Sequence, residues 1–196
     1  MFAILRTLAL LIFGLSLQAA QNSQPIVYTT EICLKSAIAD PQTVAVAKMN
    51  AGKMLREIGI AVSWHTDLGR CAGNPQNPFT IVLTRGTLDW KFPGALAYTK
   101  LREGHTEVFY DRVVRSVEPA STAKLLAHVF AHEICHLLQG VDHHSSEGLM
   151  KGHWEKRDIL RLTSMPLKFN AEDVELIYRG IGRRESRVAF DKPPAQ

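Results

Sequence analysis

HEICHLLQGVDHHSSEGLM, residues 132–150, gathers four histidines around the end of a helical run, with Glu133 directly after the first. From Ala120 to Gln139 the apolar residues recur with a helical period, no glycine or proline interrupts them, and Gly140 supplies a stop. His132 and His136 stand four residues apart on that helix. Four residues turn about 40° beyond a full circle, so both imidazoles leave the same face, one turn apart. Two ring nitrogens placed in this way reach one zinc ion at roughly 2.0–2.1 Å. Glu133 is offset to one side of the pair. It need not be a ligand and can take a proton from water beside the metal. This is the HExxH arrangement, with two ligands and a general base on one helix.

A catalytic zinc needs a third protein ligand and one open position. Beyond Gly140 the chain can reverse, and Asp142, His143 and His144 are all close enough in sequence to return. Spacing alone does not choose among them. His128 lies a turn before His132, away from a metal held by the 132/136 pair, and reads as a packing or supporting residue. Cys135, on the flank opposite Glu133, reads as a small buried thiol.

The same stretch resembles the metzincin metalloproteases. Their zinc helix ends at a glycine, a third histidine follows, and a methionine turn lies beneath. The pair His144-Ser145 followed by Met150 is similar to the matrixin branch. The pattern HExxHxLxGxxxHSxxGxM with a tryptophan soon after, as in secreted bacterial proteins, is matched by His132, Glu133, His136, Leu138, Gly140, His144, Ser145, Gly148, Met150 and Trp154. The resemblance favours His144 as third ligand, with His143 the alternative, and implies that Met150 forms a hydrophobic floor under the ligands. The chain departs from the metzincin pattern in one respect: its ligand loop is two residues longer. Glu155 raises a gluzincin-like alternative, a third ligand from a later helix, against which Gly140 and the adjacent histidines argue.

The N-terminus reads separately. Residues 1–20, MFAILRTLALLIFGLSLQAA, have a basic Arg6, a short apolar run and small residues before a polar stretch, the pattern of a secretory signal. The run is too short for a comfortable membrane span. In an exported protein Cys33 and Cys71 can pair, which leaves Cys135 over. Residues 21–196 then read as one metalloprotease-like catalytic domain, with a loose tail from about residue 185. A net charge of +4 without any Lys/Arg tract gives no reason to expect a nucleic-acid partner.

Within that domain, Ile26–Thr30 reads as a strand that Cys33 and Leu34 could extend. Asp40-Pro41 reads as a helix start and Gly59 as its stop. Residues 60–65, 79–84, 95–101 and 106–110 read as strands, 69–78 as a loop, and 154–162 as a short helix. Asn170 and Asp173 resemble a capping box that opens a last helix through about Gly180. The order predicts an α+β fold with a small mixed sheet packed on the long histidine-bearing helix, zincin-like if the resemblance holds.

The function this implies is a secreted zinc-dependent metalloendopeptidase that cleaves a peptide or protein substrate, with Glu133 as general base. The stretch 95–101 is the expected substrate-binding strand edge. No oxyanion donor can be assigned among Tyr98, Tyr110 and His153. A secreted, zinc-stabilised binding module without catalysis is the alternative; an intact Glu133 argues against it, since a purely structural site needs no base.

Overall fold

The computed structural model describes residues 25–66, 71, 79–85 and 93–190, with side chains described as far as 187. The predicted signal sequence, the 69–78 loop apart from Cys71, and the final DKPPAQ lie outside the described residues.

Strand β1 (Tyr28–Lys35) begins two residues later than the sequence suggests and runs on through Cys33 and Leu34. Helix α1 (Pro41–Arg56) opens as expected: the Asp40 carboxylate accepts the Thr43 N–H at 2.7 Å, and proline occupies the first turn, where no N–H is needed. Its buried face is Val44, Ala47, Ala51, Met54 and Leu55. Strands β2 (Ile60–His65) and β3 (Phe79–Thr84) follow. In β3, buried Phe79, Ile81 and Leu83 alternate with half-buried neighbours, the mark of one face turned to the core. Strand β4 (Ala97–Lys100) is shorter than the predicted 95–101: it starts two residues later and ends one residue earlier, where Leu101–Glu103 wind into a single 3-10 turn before β5 (His105–Phe109).

The sheet order is β2-β1-β3-β5-β4. The first four of these strands are mutually parallel, and β4 alone is antiparallel, paired with β5 along one edge. The sheet is therefore mixed, as predicted, and among the described residues no strand pairs with the outer edge of β4. Helix α2 (Tyr110–Ser116) was not expected. Tyr110, read as the end of a strand, instead opens this seven-residue helix, which buries Val113 and most of Arg112. A stretch so short carries too few apolar positions to show a helical period.

Helix α3 (Thr122–Gln139) is the expected long helix, preceded by a 3-10 turn at Pro119–Ser121. It is buried almost all round. Leu125, Leu126, Val129, Phe130, Ile134, Leu137 and Leu138 are each 2% exposed or less. A helix apolar on every face belongs inside a domain; each such side chain removed from water stabilises the fold by roughly 1.5–3 kcal/mol. Gly140 ends the helix at φ +66°, a left-handed conformation that glycine adopts without a Cβ clash. Helices α4 (Lys156–Ser164) and α5 (Ala171–Phe190) complete the fold. The latter corrects two expectations: it continues ten residues past Gly180, and residues 185–190 are helical where a loose tail was expected. Its start is as read, with Asn170 and Asp173 each accepting the other's backbone N–H, at 2.7 and 3.1 Å. Cys33 and Cys71 form a disulfide, and Cys135 is free and buried. Among the described residues no helix is long and apolar enough to cross a membrane.

Candidate metal centre

Burying a polar side chain is costly unless it finds a partner. Helix α3 buries His128, His132, Glu133 and His136 in its apolar length, each with 7% exposure or less. Where their polar atoms go defines the site.

His132 directs Nδ1 to the Leu149 carbonyl at 2.8 Å. The proton therefore sits on Nδ1, and the Nε2 lone pair faces away from the core. His136 brings its Nε2 to 3.0 Å from that of His132 and 3.1 Å from that of His144. The three rings form one group that could hold a metal ion, with ligand atoms all within 4.8 Å of one another. With neutral rings and no cation, one Nε2 must carry a proton to avoid facing lone pairs. A metal ion held by the three rings would take the place of that proton. Zinc–nitrogen bonds of 2.0–2.1 Å in a tetrahedral site separate the nitrogens by roughly 3.3 Å, close to the spacing seen here. Burial and the neighbouring histidines push the His136 pKa down to about 3. Burial likewise lowers His132 and His144. Neutral imidazoles are the form that binds metal.

His144 comes from the loop after α3, and tertiary contacts seat it. Ser145, the next residue, donates its backbone N–H to the Met150 carbonyl at 2.9 Å and its hydroxyl to the Asp173 carboxyl. Asp173, wholly buried, also accepts the Asn170 N–H, so the cap of α5 anchors the ligand loop. Met150 is wholly buried in the core, and the carbonyl of adjacent Leu149 orients His132. Trp154 packs edge-on against His132 and His128, with ring centroids 5.5 and 6.1 Å apart.

The other candidates stand apart from the three rings. His143 turns toward Glu172, with 3.9 Å between its Nε2 and the Glu172 carboxylate. Asp142 is exposed, 3.9 Å from Nδ1 of His144. Glu155 caps α4 in a reciprocal box with Asp158. His128 joins α3 to the chain beyond α4. Its Nδ1 donates to the Lys124 carbonyl at 2.8 Å, and its Nε2 accepts the Leu167 N–H at 3.1 Å.

Glu133 faces the same opening as the three rings. Its Oε2 accepts the Thr99 hydroxyl at 2.6 Å, and Thr99 in turn lies 2.6 Å from the Thr106 hydroxyl. Burial raises the carboxyl pKa to about 7, against the lowering effects of the Thr99 bond and of His144. Two clefts flank the site. One, of about 430 Å³, is bordered by His132, Glu133, His144, His153 and Trp154. The other, of about 530 Å³, is bordered by Tyr98, Thr99, Glu133, His136 and His144. Strand β4 runs along both, through Ala97. The sequence reading missed Thr99, Thr106 and Asp173 as parts of this centre: Thr99 and Asp173 meet Glu133 and Ser145 from 34 and 28 residues away, and Thr106 joins only through Thr99.

No family model matches the chain, and no curated protein matches it. Among solved structures the chain is similar to archaemetzincin from Methanopyrus kandleri, at 13% sequence identity and a TM-score of 0.48, over 84% of this chain and 99% of that one.

Proposed function

We propose that this protein is a secreted, zinc-dependent metalloendopeptidase of zincin-like build. His132, His136 and His144 hold the ion, and Glu133 is the general base. The observation that carries the reading is one arrangement: three imidazole Nε2 atoms converge while a buried carboxylate and the edge strand β4 border the same clefts. Zinc bound by the three histidines supplies a Lewis acid and lowers the pKa of its water toward about 7.

The chain's own groups supply the rest. The outer edge of β4, with which no described strand pairs, offers backbone N–H and C=O groups to an extended peptide, which gives binding with little demand on side chains. Clefts on both sides of the histidines leave room for chain in both directions, which favours cleavage within a polypeptide. Glu133 takes a proton from the attacking water and passes it to the leaving amine as the C–N bond breaks. The Cys33–Cys71 disulfide supports an oxidising compartment, in keeping with the signal-like first twenty residues.

The test is peptide hydrolysis by the zinc-loaded protein, wild type against Glu133→Gln. The reading requires one zinc per chain in both and cleavage in the wild type only. Zinc binding without cleavage of any peptide would favour a metal-stabilised binding module instead.

A further inference from the structure

Glu133 is buried, and its Oε2 accepts a hydrogen bond from Thr99, a residue of the edge strand rather than of its own helix. Thr99 and Thr106 stand directly opposite each other in the antiparallel β4–β5 pair, with hydroxyls 2.6 Å apart. Thr106 is wholly buried. A threonine hydroxyl has a single proton. When Glu133 is ionised, the Thr99 proton must point to Oε2, so the proton between the two threonines comes from Thr106. The donor order is then Thr106 to Thr99 to Glu133. A hydrogen bond to a carboxylate is among the stronger kinds, and this one fixes a side chain with three rotatable bonds.

We infer that Thr99 is a positioning residue for the general base: its hydroxyl holds Oε2 of Glu133, leaving Oε1 to receive the proton of the attacking water, and Thr106 orients the Thr99 hydroxyl. The inference rests on the peptidase reading and adds to it a link between substrate and base. The strand whose outer edge would pair with the peptide also carries the hydroxyl that aims the carboxylate. Substrate backbone and base are thus referenced to one short rigid segment, Ala97–Lys100. Small misplacements of a reacting group are costly; about 1 Å is enough for a loss on the order of 100-fold.

The test compares wild type, Thr99→Val, Thr99→Ser and Thr106→Val, each loaded with zinc. Thr99→Val removes the hydroxyl with little change in shape. It is expected to lower kcat by about 10–100-fold, with KM changed less than about twofold and zinc stoichiometry unchanged. Thr99→Ser restores the hydroxyl and should recover most of kcat, while Thr106→Val gives a smaller loss. Crystal structures of the zinc-loaded variants supply a readout that needs no activity: the Glu133 carboxylate should leave its place in Thr99→Val and keep it in Thr99→Ser. An unchanged kcat, or a carboxylate unmoved in Thr99→Val, overturns the inference. A wild type that binds zinc and cleaves nothing overturns the peptidase reading instead, and the carboxylate position still decides the role of Thr99.

Discussion

The ring of His144 is seated on the bare backbone of Gly152: a Cβ added there would lie 2.9 Å from Cγ of the histidine and 3.2 Å from its Cβ and Cδ2. These are ring and stem atoms of a side chain already tethered through Ser145, with little freedom to move aside. Gly152→Ala is therefore expected to push His144 out of register with the other two rings. Residues that orient metal ligands change affinity by about 10–100-fold when altered. Competition with a chromogenic chelator measures the effect, and equal zinc affinity in Gly152→Ala and wild type would show that the seat is not needed.

Adjacent histidines should behave differently. His144→Ala should lose stoichiometric zinc, whereas His143→Ala should keep it, because His143 faces Glu172. Zinc at about 1,000 times its dissociation constant adds about 4 kcal/mol of stability, on the order of 10 °C in Tm for a domain of this size. Thermal melts with and without zinc should show that rise in wild type and His143→Ala and not in His144→Ala. The opposite ranking would transfer the ligand role to His143.

Asp173 ties the ligand loop to the cap of α5 through Ser145 and Asn170. Asp173→Ala removes a wholly buried carboxylate and leaves the half-buried Ser145 hydroxyl and Asn170 N–H without their acceptor, a loss of about 2 kcal/mol. Urea unfolding of the zinc-free protein should show it, and a change under about 0.5 kcal/mol would mean that the loop stands without this anchor.

Acid sensitivity has an identifiable source in His128. Burial lowers its pKa in the folded protein, and both ring nitrogens are engaged in the neutral form. The unfolded chain, with an ordinary pKa near about 6.5, binds the proton more readily. The stabilisation is thus fully present above that value and is lost as pH falls below it. His128→Gln keeps one donor and one acceptor but does not titrate. Stability measured from pH 7.5 down to 5 should fall less steeply in this variant than in wild type, and parallel profiles would remove His128 as the cause.

The Cys33–Cys71 disulfide closes a separation of 38 residues. In the chain-entropy model that closure contributes about 4 kcal/mol. Cys33→Ser/Cys71→Ser should lower Tm by on the order of 10 °C while leaving zinc binding intact, because Cys33 lies in β1, which β3 and β5 separate from β4 in the sheet order.

Much of the architecture could be read locally. The bounds of β2 and β3, the Asp40-Pro41 start, the Gly140 stop and the Asn170/Asp173 box all matched, because each is decided by residues within one turn or one strand. The misses have equally local reasons. Helix α2 is too short to display a period, and α5 runs past Gly180 and Gly182, two residues that usually weaken a helix interior. The 3-10 turn at Leu101–Glu103 shortened β4 without any proline to announce it.

The amino-acid order by itself determined that His132, Glu133 and His136 share one side of one helix, because helical geometry fixes the angle between residues one and four apart. Which of two neighbouring histidines joins them was decided only in three dimensions. That choice follows from where Asp173 holds Ser145 and where Gly152 leaves room for a ring. The partner of Glu133 was decided in the same way, since Thr99 reaches it only when a sheet edge packs against the buried helix.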